Sequence, residues 1–155
     1  MRDLYDILDK LEIEYEKLEH EAVYTVEEAK KIEGQLQGMG CKNLFLKDKK
    51  KNYYLVVLQE DKRADLKALG KQLGTSNFRF CSEDALMEIL GLTKGSCTPF
   101  GIINDTENQV TLVLDKEFEG QQLLFHPNRN TATIRVSYED LIHFIEHENH
   151  RYTFC

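Results

Sequence analysis

Leu4, Ile7, Leu8 and Leu11 recur at helical spacing, so residues 2–12 predict an amphipathic helix with one apolar face. Thr25-Val26-Glu27-Glu28 has the capping-box pattern, in which the Thr hydroxyl and a Glu carboxylate satisfy free amides at a helix start. A second helix is predicted from there to about Ile32, and Gly34, Gly38 and Gly40 break the chain before the strand that carries Lys42. Asn43–Lys47 and Tyr53–Gln59 are rich in β-branched or aromatic residues and are joined by the polar Asp48–Asn52, which predicts a hairpin. Leu66, Leu69 and Leu73 mark the next helix, ended near Gly74. Ser82, with Glu83 and Asp84 in the first turn, opens another that Gly91 stops. Strands are predicted at about 100–104 and 109–114, turned by Asn104–Asn108, and then at 122–126 and 131–136. Ser137-Tyr138-Glu139-Asp140 opens a final helix carrying Leu141, Phe144 and Ile145.

Neighbouring hairpins with helices between them predict an α+β fold on a mixed or antiparallel sheet. No linker, repeat or low-complexity segment divides the 155 residues, a length that suits one domain spanning 1–155. With 41% hydrophobic and 30% charged residues, the chain can bury a core and remain soluble. No run approaches the roughly 18 apolar residues of a membrane span. The start, Met-Arg-Asp-Leu-Tyr-Asp, is charged where a secretory signal turns apolar. A cytoplasmic protein with no membrane partner is expected.

The formal net charge of -7 argues against a general nucleic-acid binder, and against DNA as a partner, because phosphate affinity comes from Lys and Arg. Residues 41–80, however, carry ten Lys and Arg against four Asp and Glu, a balance of +6 that leaves -13 on the rest of the chain. A basic sector on an acidic body suits a partner that is touched at one end of an RNA. Lys49-Lys50-Lys51 also fits a solvated hairpin tip.

Two polar segments, around Lys42 and around His126, sit at the ends of apolar runs, where a sheet can hold them over a pocket, and a Gly-X-X-X-Pro loop at Gly95 lies between them in the chain. Lys42 follows a Gly-rich approach and could place an ammonium at a site, although a lone Lys beside an apolar run ordinarily snorkels to the surface. The Gly95-Ser96-Cys97-Thr98-Pro99 loop can bring backbone close to a ligand; an ordinary turn is the plainer reading. His126-Pro127 fixes an imidazole just past a strand, where a capped core histidine is the alternative. Cys41, Cys81, Cys97 and Cys155 form no Cys-X-X-Cys pair and no metal-ligand spacing, so reduced thiols are expected and no metal centre. Cys97 and Cys41 have nucleophile chemistry but no His partner in sequence, which favours small buried residues. His143, His147 and His150 could share a helix face like a metal site; exposed histidines at a fraying end fit better.

Cys41-Lys42-Asn43-Leu44-Phe45-Leu46-Lys47-Asp48, then Gly95-Ser96-Cys97-Thr98-Pro99-Phe100-Gly101, then Phe125-His126-Pro127-Asn128-Arg129-Asn130-Thr131-Ala132-Thr133-Ile134 follow one another in the chain. Together they resemble the YbaK/prolyl-tRNA synthetase-associated editing domains, most closely the free-standing alanyl-tRNA(Pro) deacylase branch, from about residue 15 to 145. The resemblance implies a curved mixed sheet or partial barrel surrounded by helices. It implies that Lys42 is the functionally essential lysine, with Asn43 beside it. It implies that Gly95, Ser96, Cys97, Thr98, Pro99 and Gly101 shape the amino-acid pocket, and that His126 borders the substrate. His20 and Thr25 lie in a segment like the one that borders the acceptor end, and Lys47 and Lys71 of the basic sector are expected to meet tRNA phosphates. Two departures stand out: Gly120 lies six residues before His126 rather than four, and Glu21 and Ala22 occupy places where many relatives have prolines.

By the same resemblance the chain is a hydrolase that frees alanine from mischarged Ala-tRNA(Pro), with water as nucleophile and neither metal nor cofactor. Its expected partners are the tRNA(Pro) acceptor end and prolyl-tRNA synthetase. Such an ester is already activated, so positioning and charge stabilisation suffice without a strong nucleophile. The alternatives are a deacylase for Cys-tRNA(Pro) or another small amino acid, and a non-catalytic module that binds tRNA or aminoacyl-adenosine.

Overall fold

The computed structural model describes residues 3–22 and 26–155. Helix α1 (Leu4–Lys10) starts where Asp3 accepts from the Tyr5 amide and buries Leu4, Ile7 and Leu8. It leads into strand β1 (Glu16–Glu19), helix α2 (Val26–Gln35) and strand β2 (Met39–Lys47). Strand β3 (Tyr53–Gln59), helix α3 (Leu66–Gln72), the two-residue strand β4 (Arg79–Phe80) and helix α4 (Glu83–Leu90) follow. Strands β5 (Val110–Leu114), β6 (Gln122–Phe125) and β7 (Ala132–Ser137) precede helix α5 (Tyr138–His147) and strand β8 (Tyr152–Phe154). The caps read from sequence at Ser82 and Ser137 accept from the Ala85 and Asp140 amides. Gly91 ends α4 in the left-handed conformation, as a glycine stop requires.

The eight strands form one mixed sheet in the order β1-β7-β6-β2-β3-β5-β8, with β4 added to β2. Successive residues of β3 alternate between two apolar clusters. Leu55 and Val57 join the main core with α1, α4 and α5, whereas Val56 and Leu58 join a smaller cluster under α3. The middle of the sheet is therefore covered on both faces and can hold a site rigidly.

Residues 100–104, predicted as a strand, are part of a 3-10 helix, Pro99–Asn104. Pro99 supplies a preset φ at the first position, the Thr98 hydroxyl caps it, and the apolar run is buried as a turn rather than an alternating strand. Gly40, read as a breaker, lies inside β2. The approach itself needs Gly38, because a Cβ there would come within 2.9 Å of Leu124 Cδ2. The hairpin tip is organised by Asp48, only 1% exposed, which accepts from the Lys50 and Asn52 amides, Asn52 Nδ2, Tyr54 Oη and Thr75 Oγ1. Burial alone would raise its carboxyl, but these bonds outweigh it and hold the group below its ordinary range.

Asp48→Ala should cost about 3 kcal/mol in urea denaturation, since five donors lose one buried ionic acceptor. A carboxyl with a depressed folded pKa stabilises fully above its unfolded value, about 3.9, and loses that contribution as pH falls through the folded one. The variant should accordingly show a shallower loss of stability below about pH 4.

Candidate functional site

The parallel pair β2 and β6 is bonded only where Met39 faces Leu123 and Gly40 faces Leu124. Beyond that point β2 follows β3 from Cys41 to Lys47, while β6 stays with β7. On its other edge β2 meets β4 only at Leu46 and Lys47. A fork therefore opens just past this contact, near the amino end of β2 and the carboxyl end of β6, with the β2 edge from Lys42 to Leu44 outside any strand pairing on that side. Such a divergence leaves a gap that no strand fills, between two elements the sheet holds rigidly.

Paired residues share a face and neighbours alternate. Gly40 opposite Leu124 consequently puts Lys42 and His126, each two residues further on, on one face of the sheet. Cys41, Asn43 and Phe45 take the opposite, core face with Phe125. The adjacent Lys42 and Asn43 thus serve the two sides of the fork. Lys42 is half-buried, and Asp61, which pairs with Lys30 at 3.5 Å, lies in its field. A hydrogen bond from Gln59, then the charges of Lys30 and Lys42, hold the Asp61 carboxyl below its usual range.

His126 Nδ1–H donates to the Ala132 carbonyl at 2.9 Å, because a carbonyl can only accept. Burial lowers its pKa, that bond opposes the shift, and the nearby His20 lowers it further. The imidazole is held neutral with its Nε2 lone pair available. His20 stands edge-on at 6.2 Å, its Nδ1 donating to the Glu21 carbonyl at 2.7 Å and its Nε2 2.8 Å from Thr133 Oγ1. The structure therefore brings Lys42, His126 and His20 to one face, from three distant segments.

On the other side, Ser96 is spent within its own turn: its hydroxyl donates to the Thr93 carbonyl at 3.0 Å and accepts from the Thr93 amide at 3.2 Å. Thr98 is fully buried and caps the Pro99–Asn104 turn. Burial pushes the Cys97 thiol up to about 12 and the Cys81 thiol to about 11, so neither is a nucleophilic thiolate near neutrality. The Cys41 thiol donates to the Met39 carbonyl at 3.4 Å. Gly101 has a packing reason, since a Cβ there would meet Leu92 Cδ1 at 2.7 Å.

Sequence reading missed Asn128. Its Nδ2 donates to the Phe100 carbonyl at 3.4 Å, joining the turn after His126 to the loop that follows Gly95. Among the described residues, the buried side-chain oxygens without a hydrogen-bond partner are Asn43 Oδ1 and Asn128 Oδ1. One lies just past Lys42 and the other just past His126, on the two prongs of the fork. Buried acceptors are ordinarily satisfied, and a pair left open beside one crevice marks a place for a donor-bearing ligand. Asn128 has φ +65°, a left-handed conformation that asparagine tolerates, so an Asn in a turn after His-Pro was the available signal. Arg129 locks this turn to β1 through Glu19 at 2.7 and 3.0 Å and also donates to Thr131 Oγ1 and Tyr5 Oη. That pairing lowers the Glu19 carboxyl to about 2.

The remaining expected residues are dispersed. Lys47 shares the core-face parity of Phe45 and sits beside Cys81, whereas Lys71 is exposed on α3, which covers the opposite face. The basic sector is thus split by the sheet. Thr25 lies outside the described residues. His143 and His147 are exposed, but His150 is buried, its Nε2 2.9 Å from Asp105 Oδ2; it is a hydrogen-bonded core histidine rather than a frayed end. The Asp105 carboxylate also accepts from the Gln109 and Val110 amides, which commits it to the turn before β5. The described residues hold no cluster of His, Cys, Asp or Glu fit for a metal ion, and no helix among them is long and apolar enough to cross a membrane.

Residues 20–144 match the family described as the aminoacyl-tRNA editing domain. The chain is 46% identical over 136 residues to the prolyl-tRNA editing protein ProX of Acetoanaerobium sticklandii, covering 86% of this chain and 83% of that one. It is 42% identical over 154 residues to prolyl-tRNA synthetase associated domain-containing protein 1 of Mus musculus, covering 96% and 90%. A solved structure described as a candidate trans-editing enzyme for prolyl tRNA synthetase superposes with a TM-score of 0.72 over 96% of this chain and 91% of that one, at 19% identity.

Proposed function

The chain belongs to the aminoacyl-tRNA editing domain family, and from that premise we propose that it is a hydrolase that deacylates mischarged tRNA(Pro), with Ala-tRNA(Pro) as substrate. The observation that carries the reading is the fork between β2 and β6, with Lys42 and His126 on one face and the open oxygens of Asn43 and Asn128 beside it. An aminoacyl ester brings what these groups lack. Its α-ammonium supplies donors for amide oxygens, and its terminal ribose and phosphate supply acceptors for an ammonium. Water attacks the ester carbonyl, the carbon–oxygen bond to the ribose breaks, and free alanine and tRNA(Pro) leave. Lys42 steadies negative charge at the developing oxyanion or the neighbouring phosphate. Neutral His126 offers Nε2 as an acceptor at the pocket border.

The experiment is deacylation by the purified protein of tRNA(Pro) charged with alanine, cysteine or serine. Turnover of the alanyl ester is the expected result. Turnover of the cysteinyl ester alone would transfer the chain to the Cys-tRNA(Pro) reading, and tight tRNA binding without turnover of any ester would establish a binding module instead.

A further inference from the structure

Phe80 is a large apolar side chain that the fold leaves in water. It is 62% exposed, on an edge strand of two residues, and its placement has no packing rationale. Its register gives it one. Phe80 is the partner of Leu46, and Leu46 lies four residues from Lys42 on the same strand, so Phe80, Leu46 and Lys42 share a face. At about 3.3 Å per residue the ring stands roughly 13 Å along β2 from Lys42, on the same edge that forks away from β6. The β2 edge from Lys42 to Leu44 is outside any strand pairing on that side, and at Phe45 the carbonyl already accepts from the Cys81 amide at 2.9 Å, so a ligand chain seated at Lys42 would follow this short open edge toward Phe80. Lys47 and Arg79, the next pair across the same two-strand contact, put positive charge at that end of the edge from the opposite face.

We propose that Phe80 is a stacking platform for a base in the single-stranded 3′ end of the tRNA whose terminal ester lies at the fork. The proposal rests on the editing reading above. A base offers a flat apolar face to an exposed ring, and the cations at the same strand end attract the phosphates that run past the edge; exposed aromatic residues with nearby cations hold single strands in this way. Nucleotides rise about 3.4 Å each when stacked and more when extended, so 13 Å is within reach of a few unpaired nucleotides. Stacking tolerates any base, so Phe80 contributes affinity and the position of the ester, and base identity is read elsewhere.

The test measures binding of uncharged tRNA(Pro), of the same tRNA lacking its unpaired 3′ nucleotides, and of tRNA carrying 2-aminopurine in that end. Because Phe80 is exposed, Phe80→Ala should fold normally, and Phe80→Tyr serves as the rescue. Phe80→Ala is expected to weaken binding of intact tRNA about tenfold, leave binding of the trimmed tRNA unchanged, and abolish the 2-aminopurine quench that the wild type and Phe80→Tyr both show. Equal affinity of wild type and Phe80→Ala for intact tRNA, or equal losses for intact and trimmed tRNA, would overturn the proposal. These readouts need no turnover, so a protein that hydrolyses no ester would refute the editing reading while the stacking result stood or fell by itself.

Discussion

Replacing Lys42 by alanine is expected to lower kcat/KM for aminoacyl-tRNA hydrolysis at least about 100-fold while the fold survives. The side chain sits where β2 leaves β6, on the face it shares with His126, and it is half-buried, so the partly desolvated ammonium acts in a medium that screens it less than water does. The nearby cation Lys30 is carried on α2 and is engaged with Asp61. Removing the methylenes should cost little stability, because the Lys42 backbone keeps its pairing with Leu58. Lys42→Arg restores charge but not geometry, since a planar fork cannot occupy the place of a compact ammonium; partial recovery is expected. Single-turnover deacylation and thermal melting on the same samples decide it. Wild-type rates from a folded Lys42→Ala protein would remove Lys42 from the chemistry.

Much of the scaffold around Lys42 was legible because it is written locally. Ser82, Gly91 and Ser137 set helix ends through their own hydrogen bonds and backbone preferences, and the β2–β3 hairpin follows from two apolar runs around a polar turn. The 3-10 helix was misread because Phe100, Ile102 and Ile103 have strand-like composition, while Thr98 and Pro99 impose a turn. Strand β1 escaped notice because its Glu16-Lys17-Leu18-Glu19 is largely exposed and has no apolar alternation. The fork could not be read at all. Its parallel contact joins residues 39–40 to 123–124, a pairing that no local pattern encodes. The family resemblance pointed to Lys42 and His126, but only register shows that they share a face and that Asn43 does not. His150 illustrates the same limit: its position near the chain end suggested exposure, and only the fold places Asp105 within 2.9 Å of it.

Pro-tRNA(Pro) should be hydrolysed at least about 30-fold more slowly than Ala-tRNA(Pro), and the reason lies in what stands behind the Gly95–Pro99 loop. A pocket gains little by preferring a smaller guest, whereas forcing a larger ring into a packed wall strains it by about 1–3 kcal/mol. This wall has little room to retreat. Thr98, Pro99 and Phe100 are buried, Phe100 packs edge-on against Phe125 and Phe144, and Gly101 already approaches Leu92 so closely that one added methyl would collide. Asn128 ties the opposite turn to the Phe100 carbonyl, so the two sides of the pocket are coupled and neither opens alone. Under the proposed function the strict limit of the sieve is therefore its upper one, and alanine is expected to enter because nothing excludes it. Cutting that tie with Asn128→Ala should narrow the preference for alanine over proline severalfold, because the turn can then give way. Initial rates on the two esters, measured side by side with wild type and variant, test both statements. Equal rates for the two esters with the wild-type protein would refute selection by excluded size, and an unchanged ratio in Asn128→Ala would show that the loop alone sets the limit.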